Sequence, residues 1–206
     1  MNPASTTFIL GYHGCDASVA EIVLAGEASL AASENDYDWL GHGVYFWEHN
    51  VQRAYEFARE VRDRPHHGRQ MVKQPAVIGA MVDLAYCLNL FDSRYIGLVR
   101  QAYDDLVLLH KGAQEPLPSN TGGRHRPVRR LDCAVIQMLH RTREDRGDPP
   151  FDTVRAAFAE GGRLYPNAGF AAKTHIQLCV RNPACIKGYF RPLGEDGKPL
   201  ILNDHA

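Results

Sequence analysis

Apolar positions along this chain follow two different periods, and each period predicts a different kind of element. TTFILGYHG (residues 6–14) is rich in β-branched and aromatic residues and closes on Tyr12, His13 and Gly14. That predicts a strand whose tip offers a ring, an imidazole and a bare backbone. DASVAEIVLAGE fits a short helix capped by Asp16 or Ser18. SENDYDWLGHG is polar, aromatic and glycine-rich, hence a loop, and HGVYFWE predicts a second strand. Its alternation puts Tyr45 and Trp47 on one face and Val44, Phe46 and Glu48 on the other. After Asn50, a plausible cap, the period lengthens: Val51, Ala54, Tyr55, Ala58 and Val61 share one face of a helix through VQRAYEFAREVRDR.

The second half repeats the alternation of element types. AVIGAMVDLAYCLNLFD predicts a strand with an extension, and SRYIGLVRQAYDDLVLLHK has helical spacing. Residues 112–129 are rich in proline and glycine and read as a loop or insertion. RRLDCAVIQMLHRTRED predicts a helix, and DTVRAAFAEG another, capped by Asp152 and stopped by Gly161. THIQLCVRN predicts a strand with Thr174, Ile176, Leu178 and Val180 on one face and His175 and Gln177 on the other; CIKGYFRP predicts a short last strand. Strands at both ends with helices between them give an α+β fold, expected as one domain over residues 1–206.

Charge and composition narrow the function classes. A formal net charge of −1 argues against a general field for nucleic acid or anionic membranes. No apolar run nears the roughly 20 residues that span a bilayer. The opening MNPASTTF lacks a basic region followed by an apolar stretch, so a soluble cytoplasmic protein with no membrane partner is expected. Cys15, Cys87, Cys133, Cys179 and Cys185 are widely spaced and form no CxxC, which predicts reduced thiols and no metal site. His66 and His67 read as loop, and RHRPVRR as a solvated run or a phosphate contact.

YHGC, GHGVYF, the AYEFA helix and the late HIQLCV strand, in this order, resemble the ADP-ribosyltransferase superfamily. The nearer likeness is to the His-Tyr-Glu branch shared by diphtheria-toxin-like and poly(ADP-ribose) polymerase-like enzymes, and within it to small bacterial members. It covers about residues 7–60 and 150–192. The resemblance implies a split antiparallel sheet with NAD in the cleft, no metal, and transfer of ADP-ribose to a macromolecular acceptor, protein or nucleic acid. It implies that His13 bonds the adenosine ribose, that the Gly14 backbone meets the nicotinamide carboxamide, that Tyr45 stacks on nicotinamide, and that Tyr12 flanks the pocket; His175, on the same strand face as Gln177, is expected to join the site. Gln177 stands where the family carries its catalytic Glu. A toxin or defence role, with a neutralising antitoxin or immunity protein, is also implied.

The departure at Gln177 has a physical consequence. As nicotinamide leaves, the ribose becomes oxocarbenium-like, and an anion near its hydroxyls stabilises that charge better than a dipole does. A substitute carboxylate is therefore expected, Glu48 first and Glu160 second. Otherwise a slow enzyme or an inactive nucleotide-binding module is expected; NAD hydrolysis with water as acceptor is the alternative use of the same pocket. The loop EGGRLYPNAGFAAK, with Tyr165 and Phe170, is expected to meet the acceptor.

Overall fold

The computed structural model describes residues 7–64, 71–122, 128–194, 196–200 and 202. His66 and His67, and most of RHRPVRR, lie outside the described residues. The chain runs β1 (Phe8–Asp16), α1 (Ala17–Leu24), β2 (Val44–Glu48), α2 (Val51–Asp63), β3 (Pro75–Asp83), β4 (Cys87–Asn89), α3 (Ser93–Ala113), β5 (Asn120–Thr121), β6 (Val128–Arg129), α4 (Arg130–Asp145), β7 (Thr153–Phe158), β8 (His175–Val180) and β9 (Ile186–Phe190). Seven strands form one mixed sheet in the order β4-β7-β8-β2-β1-β3-β9, and β5-β6 form a separate hairpin. β4 and β7 run parallel, and the other neighbours run antiparallel. The fold is therefore α+β, with the helices inserted as the periodicities predict.

The expected pair of split sheets is met as one sheet with an unequal middle. β1 pairs with β3 at all nine of its residues, but with β2 only at Gly11↔Glu48 and Tyr12↔Trp47. Asp16 and Asn50 cap α1 and α2 as expected: Asp16 accepts from Ser18 N at 3.0 Å, and Asn50 from Arg53 N at 2.9 Å.

One predicted element is corrected. DTVRAAFAEG was expected as a helix, but Thr153–Phe158 is strand β7, paired with β8 along its whole length and with β4 at three positions. The Asp152 carboxylate accepts from Tyr86 N and Asn182 Nδ2 instead of capping a helix. Two waiting edges outweigh the helix preference of three alanines in this stretch, because strand preference is set by the neighbours on the sheet. AVIGAMVDLAYCLNLFD likewise divides into β3 and β4 around Ala85, which has φ 47°.

The sheet has two covered faces. α1 lies on one, over Ile9, Cys15, Phe46, Ile78, Val82 and Leu178. On the other, α2 packs over Trp47 and Val77, while α3 and α4 cover Leu88, Val154, Ala156 and Cys179. Within this second group His140 is 7% exposed, 6.1 Å from the Phe151 ring, with neither ring nitrogen partnered. Burial, then the Arg181 and Arg143 charges, hold its pKa down to about 3. The unfolded chain takes up this proton below about pH 6.5, whereas the folded chain does not until near its own lower value. Stability is thus fully present above about pH 6.5 and falls as the pH drops towards 3. His13 and His175, also lowered by burial, act in the same direction. The urea midpoint at pH 5 is expected below that at pH 7.5, and His140→Leu should narrow the gap; equal midpoints in the parent protein would contradict this.

Candidate functional site

The site is built at the short β1–β2 ladder. Leu10 O accepts from His49 N at 3.0 Å, so the main-chain groups of Leu10 point towards β2, and by alternation those of Tyr12 and Gly14 do so too. The ladder ends at Tyr12↔Trp47. The next rung would run from Gly14 N to Tyr45 O, but that oxygen accepts from His13 Nδ1 at 2.7 Å. The imidazole thus wedges the strands apart beside Gly14, and the Gly14 amide faces the seam. A carbonyl only accepts, so His13 carries its proton on Nδ1 and leaves Nε2 as an acceptor; burial lowers its pKa.

Gly14 also has a packing reason to lack a side chain. A Cβ there would lie 2.0 Å from Ala54 O and 3.3 Å from Ala58 Cβ, both on α2. The α2 helix rests directly on this glycine, so the bare backbone serves helix docking on one side and the seam on another.

The registers decide which predicted residues share a face. Tyr12 pairs with Trp47, Trp47 with Gln177, and Gln177 with Ala156, while Tyr45 pairs with Cys179. Directly opposed residues point the same way. Tyr12, Tyr45, Trp47, His175 and Gln177 therefore stand on the face covered by α2 and α4. His13 and Glu48 belong to the other face, where the His13 ring meets Phe46 edge-on at 5.9 Å. The single pocket that the resemblance implies for His13, Tyr45 and Gln177 is not met on one face of the sheet: Tyr12 stands with Tyr45 and Gln177, whereas His13 stands on the opposite face and meets Tyr45 at its main-chain oxygen.

Glu48 does not stand in for the missing carboxylate. Its two oxygens accept from Arg155 Nε and Nη2 at 2.6 Å each, across β8, and its side chain is 8% exposed. It faces away from Gln177, and its partner is Arg155. Glu160 is bound too: Arg53 Nη2 donates to it at 2.8 Å, and Glu60 and Glu56 lie 3.3 and 3.7 Å from Arg53 Nη1. Arg53 is 4% exposed and ties α2 to the start of the 159–174 loop. Lys173 Nζ, 2.5 Å from Glu60, ties the end of that loop to the same helix. Tyr165 and Phe170 stand exposed on it, where a partner can touch them.

Tyr45 is committed at its hydroxyl, which accepts from Leu40 N at 3.0 Å and donates to Gly41 O at 2.8 Å. Burial, then the neighbouring Cys179 and Asp38, push its pKa well up. What it offers a ligand is its half-buried ring. Gln177 is held by Trp39, whose indole Nε1 donates to Gln177 Oε1. An indole N–H only donates, so this bond turns the carbonyl of Gln177 towards Trp39 and leaves its NH2 for other contacts. The Trp39 ring in turn lies 4.7 Å from Phe158 at a tilt of 46°, with the Arg129 guanidinium 4.8 Å over Phe158. Arg129, expected in RHRPVRR as solvated or as a phosphate contact, lies instead over Phe158; Trp39, a lone aromatic in a loop, carries no periodic signal.

Cys15 is buried and unreactive, its thiol pushed up to about 12 by burial and then by Asp16. No metal-binding group of His, Cys, Asp or Glu occurs among the described residues. One cavity of about 320 Å3 lies between Asp36, His42, Cys133 and Gln137, and one of about 170 Å3 between Tyr55, Val77, Pro192 and Leu202, with no residue of β1 or β2 in either lining. Neither is lined by His13, Tyr45 or Gln177. Among the described residues no helix is long and apolar enough to cross a membrane.

No protein-family model matches the chain. It is similar to an uncharacterised protein of Methanocaldococcus jannaschii, 28% identical over 194 residues that cover 85% of this chain and 83% of the archaeal one. No solved structure matches.

Proposed function

We propose that this chain binds NAD at the β1–β2 seam and transfers ADP-ribose to a macromolecular acceptor, as the likeness of its three motifs implies. The observation that carries the reading is the interrupted ladder. Gly14 turns its amide to a seam that His13 holds open at Tyr45 O, 2.7 Å away. A carboxamide needs such a backbone edge, with no side chain to keep it at a distance. Tyr12 and the Tyr45 ring flank the seam on the α2 side, and the Gln177 amide lies one strand further. β1 and β2 lie inside the seven-stranded sheet, in the order β4-β7-β8-β2-β1-β3-β9.

A second reading, NAD binding without turnover, is favoured by the fixed orientation of Gln177. An amide that directs its N–H groups to a ligand brings a positive dipole end, which does not help an oxocarbenium ion form. Incubation with NAD labelled on the adenylate, in cell extract, separates the readings. Transfer predicts released nicotinamide and label on macromolecules, both lost in His13→Ala. Free ADP-ribose without labelled macromolecules would mean hydrolysis, and binding without release would mean the inactive module.

A further inference from the structure

We propose that His175 and Trp47 read a hydroxyl group of the bound ligand, at the end of the same face that carries Gln177. The inference rests on the dinucleotide reading of that face and takes the hydroxyl to be one of the ribose hydroxyls. His175 Nδ1 lies 2.7 Å from Lys173 O. That carbonyl requires a proton on Nδ1, so Nε2 of the neutral ring is a lone-pair acceptor. His175 is 5% exposed and its Nε2 has no partner. Trp47, on the neighbouring strand and the same face, is 3% exposed; its Nε1, which only donates, has no partner either. The two rings lie 6.1 Å apart. The Arg53 guanidinium stands 5.9 Å over Trp47, and its Nε is a second unpartnered donor.

One acceptor and two donors are thus left unsatisfied in a single buried cluster, where an unmade hydrogen bond is costly. Their senses select the ligand. A hydroxyl answers both kinds, donating to His175 Nε2 and accepting from Trp47 Nε1. A carboxylate or phosphate would turn only acceptors on the His175 lone pair, and an ammonium only donors on Trp47 and Arg53. Phe158, 5.5 Å from the His175 ring on its other side, adds an apolar wall of the kind a sugar carbon face packs against. Both polar atoms are closed to bulk water, so binding entails displacement of a neighbouring side chain. His175 thereby acts as an acceptor on a face where Gln177 has only N–H groups to offer.

The test uses the full chain and a set of NAD analogues, each lacking one ribose hydroxyl, with affinities measured by calorimetry. Imidazole 15N shifts of His175 are followed in parallel. One analogue is expected to bind the parent protein roughly tenfold more weakly than NAD, the loss of a single hydrogen bond. In His175→Phe, and in Trp47→Phe should the first fail to fold, that discrimination should vanish. The Nε2 resonance should move on NAD addition, a change that a purely structural histidine would not show. If NAD binds and all analogues match it, or Nε2 stays unmoved, the hydroxyl site is wrong while the NAD site stands. If NAD itself does not bind, both fall.

Discussion

Gly14→Ala is expected to lower the melting temperature by roughly 6–12 °C, corresponding to about 3 kcal/mol, the upper end of ordinary overpacking costs. The new methyl would lie 2.0 Å from Ala54 O, where no Cβ can remain. The atom it meets is helix backbone and cannot rotate away. α2 must lift from the sheet, yet Ala54, Tyr55 and Ala58 hold it there through their buried contacts. Gly97 on α3 provides the control, since a Cβ there has no neighbour within 4 Å. Gly97→Ala should stabilise by about 0.5–1 kcal/mol through helix preference alone. Equal melting shifts for the two variants, read by calorimetry, would remove the docking role of Gly14.

Gln177→Glu is expected to raise the rate of nicotinamide release by roughly 100- to 1,000-fold. Trp39 Nε1 now holds the only acceptor that the side chain has. A carboxylate keeps one oxygen on that indole and presents the second, charged, towards the ligand. Glu48 and Glu160 cannot supply this charge while Arg155 and Arg53 bind them. Single-turnover release of nicotinamide is the readout. A rate lowered by the substitution would instead make the amide the working group.

Much of this arrangement is legible in the residues, and the limits follow from what alternation can and cannot say. The two-residue period correctly separates Tyr45 and Trp47 from Phe46 and Glu48, and His175 and Gln177 from Ile176 and Leu178. It cannot say which face of one strand matches which face of the next. That depends on the pairs Tyr12↔Trp47 and Trp47↔Gln177, and a slip of one residue would exchange Tyr12 with His13. Motif order therefore implies one pocket for His13 and Tyr45, and cannot show that His13 meets the Tyr45 main chain from the other face. The β7 strand escaped notice because its alanines and the preceding Asp152 imitate a capped helix. The burial of Arg53 was not legible because a charge on a helix reads as solvent-facing. Glu56 and Glu60, at one and two turns along the same face, were the available sign that it is held.

The most direct measurement is the backbone amide resonance of Gly14, in protein labelled with 15N-glycine, during titration with NAD and with nicotinamide alone. A seam that holds the carboxamide predicts that the Gly14 peak moves with both ligands, while exposed Gly97 and Gly112 stay fixed. A Gly14 peak unmoved while NAD binds, or no binding at millimolar ligand, would contradict the account.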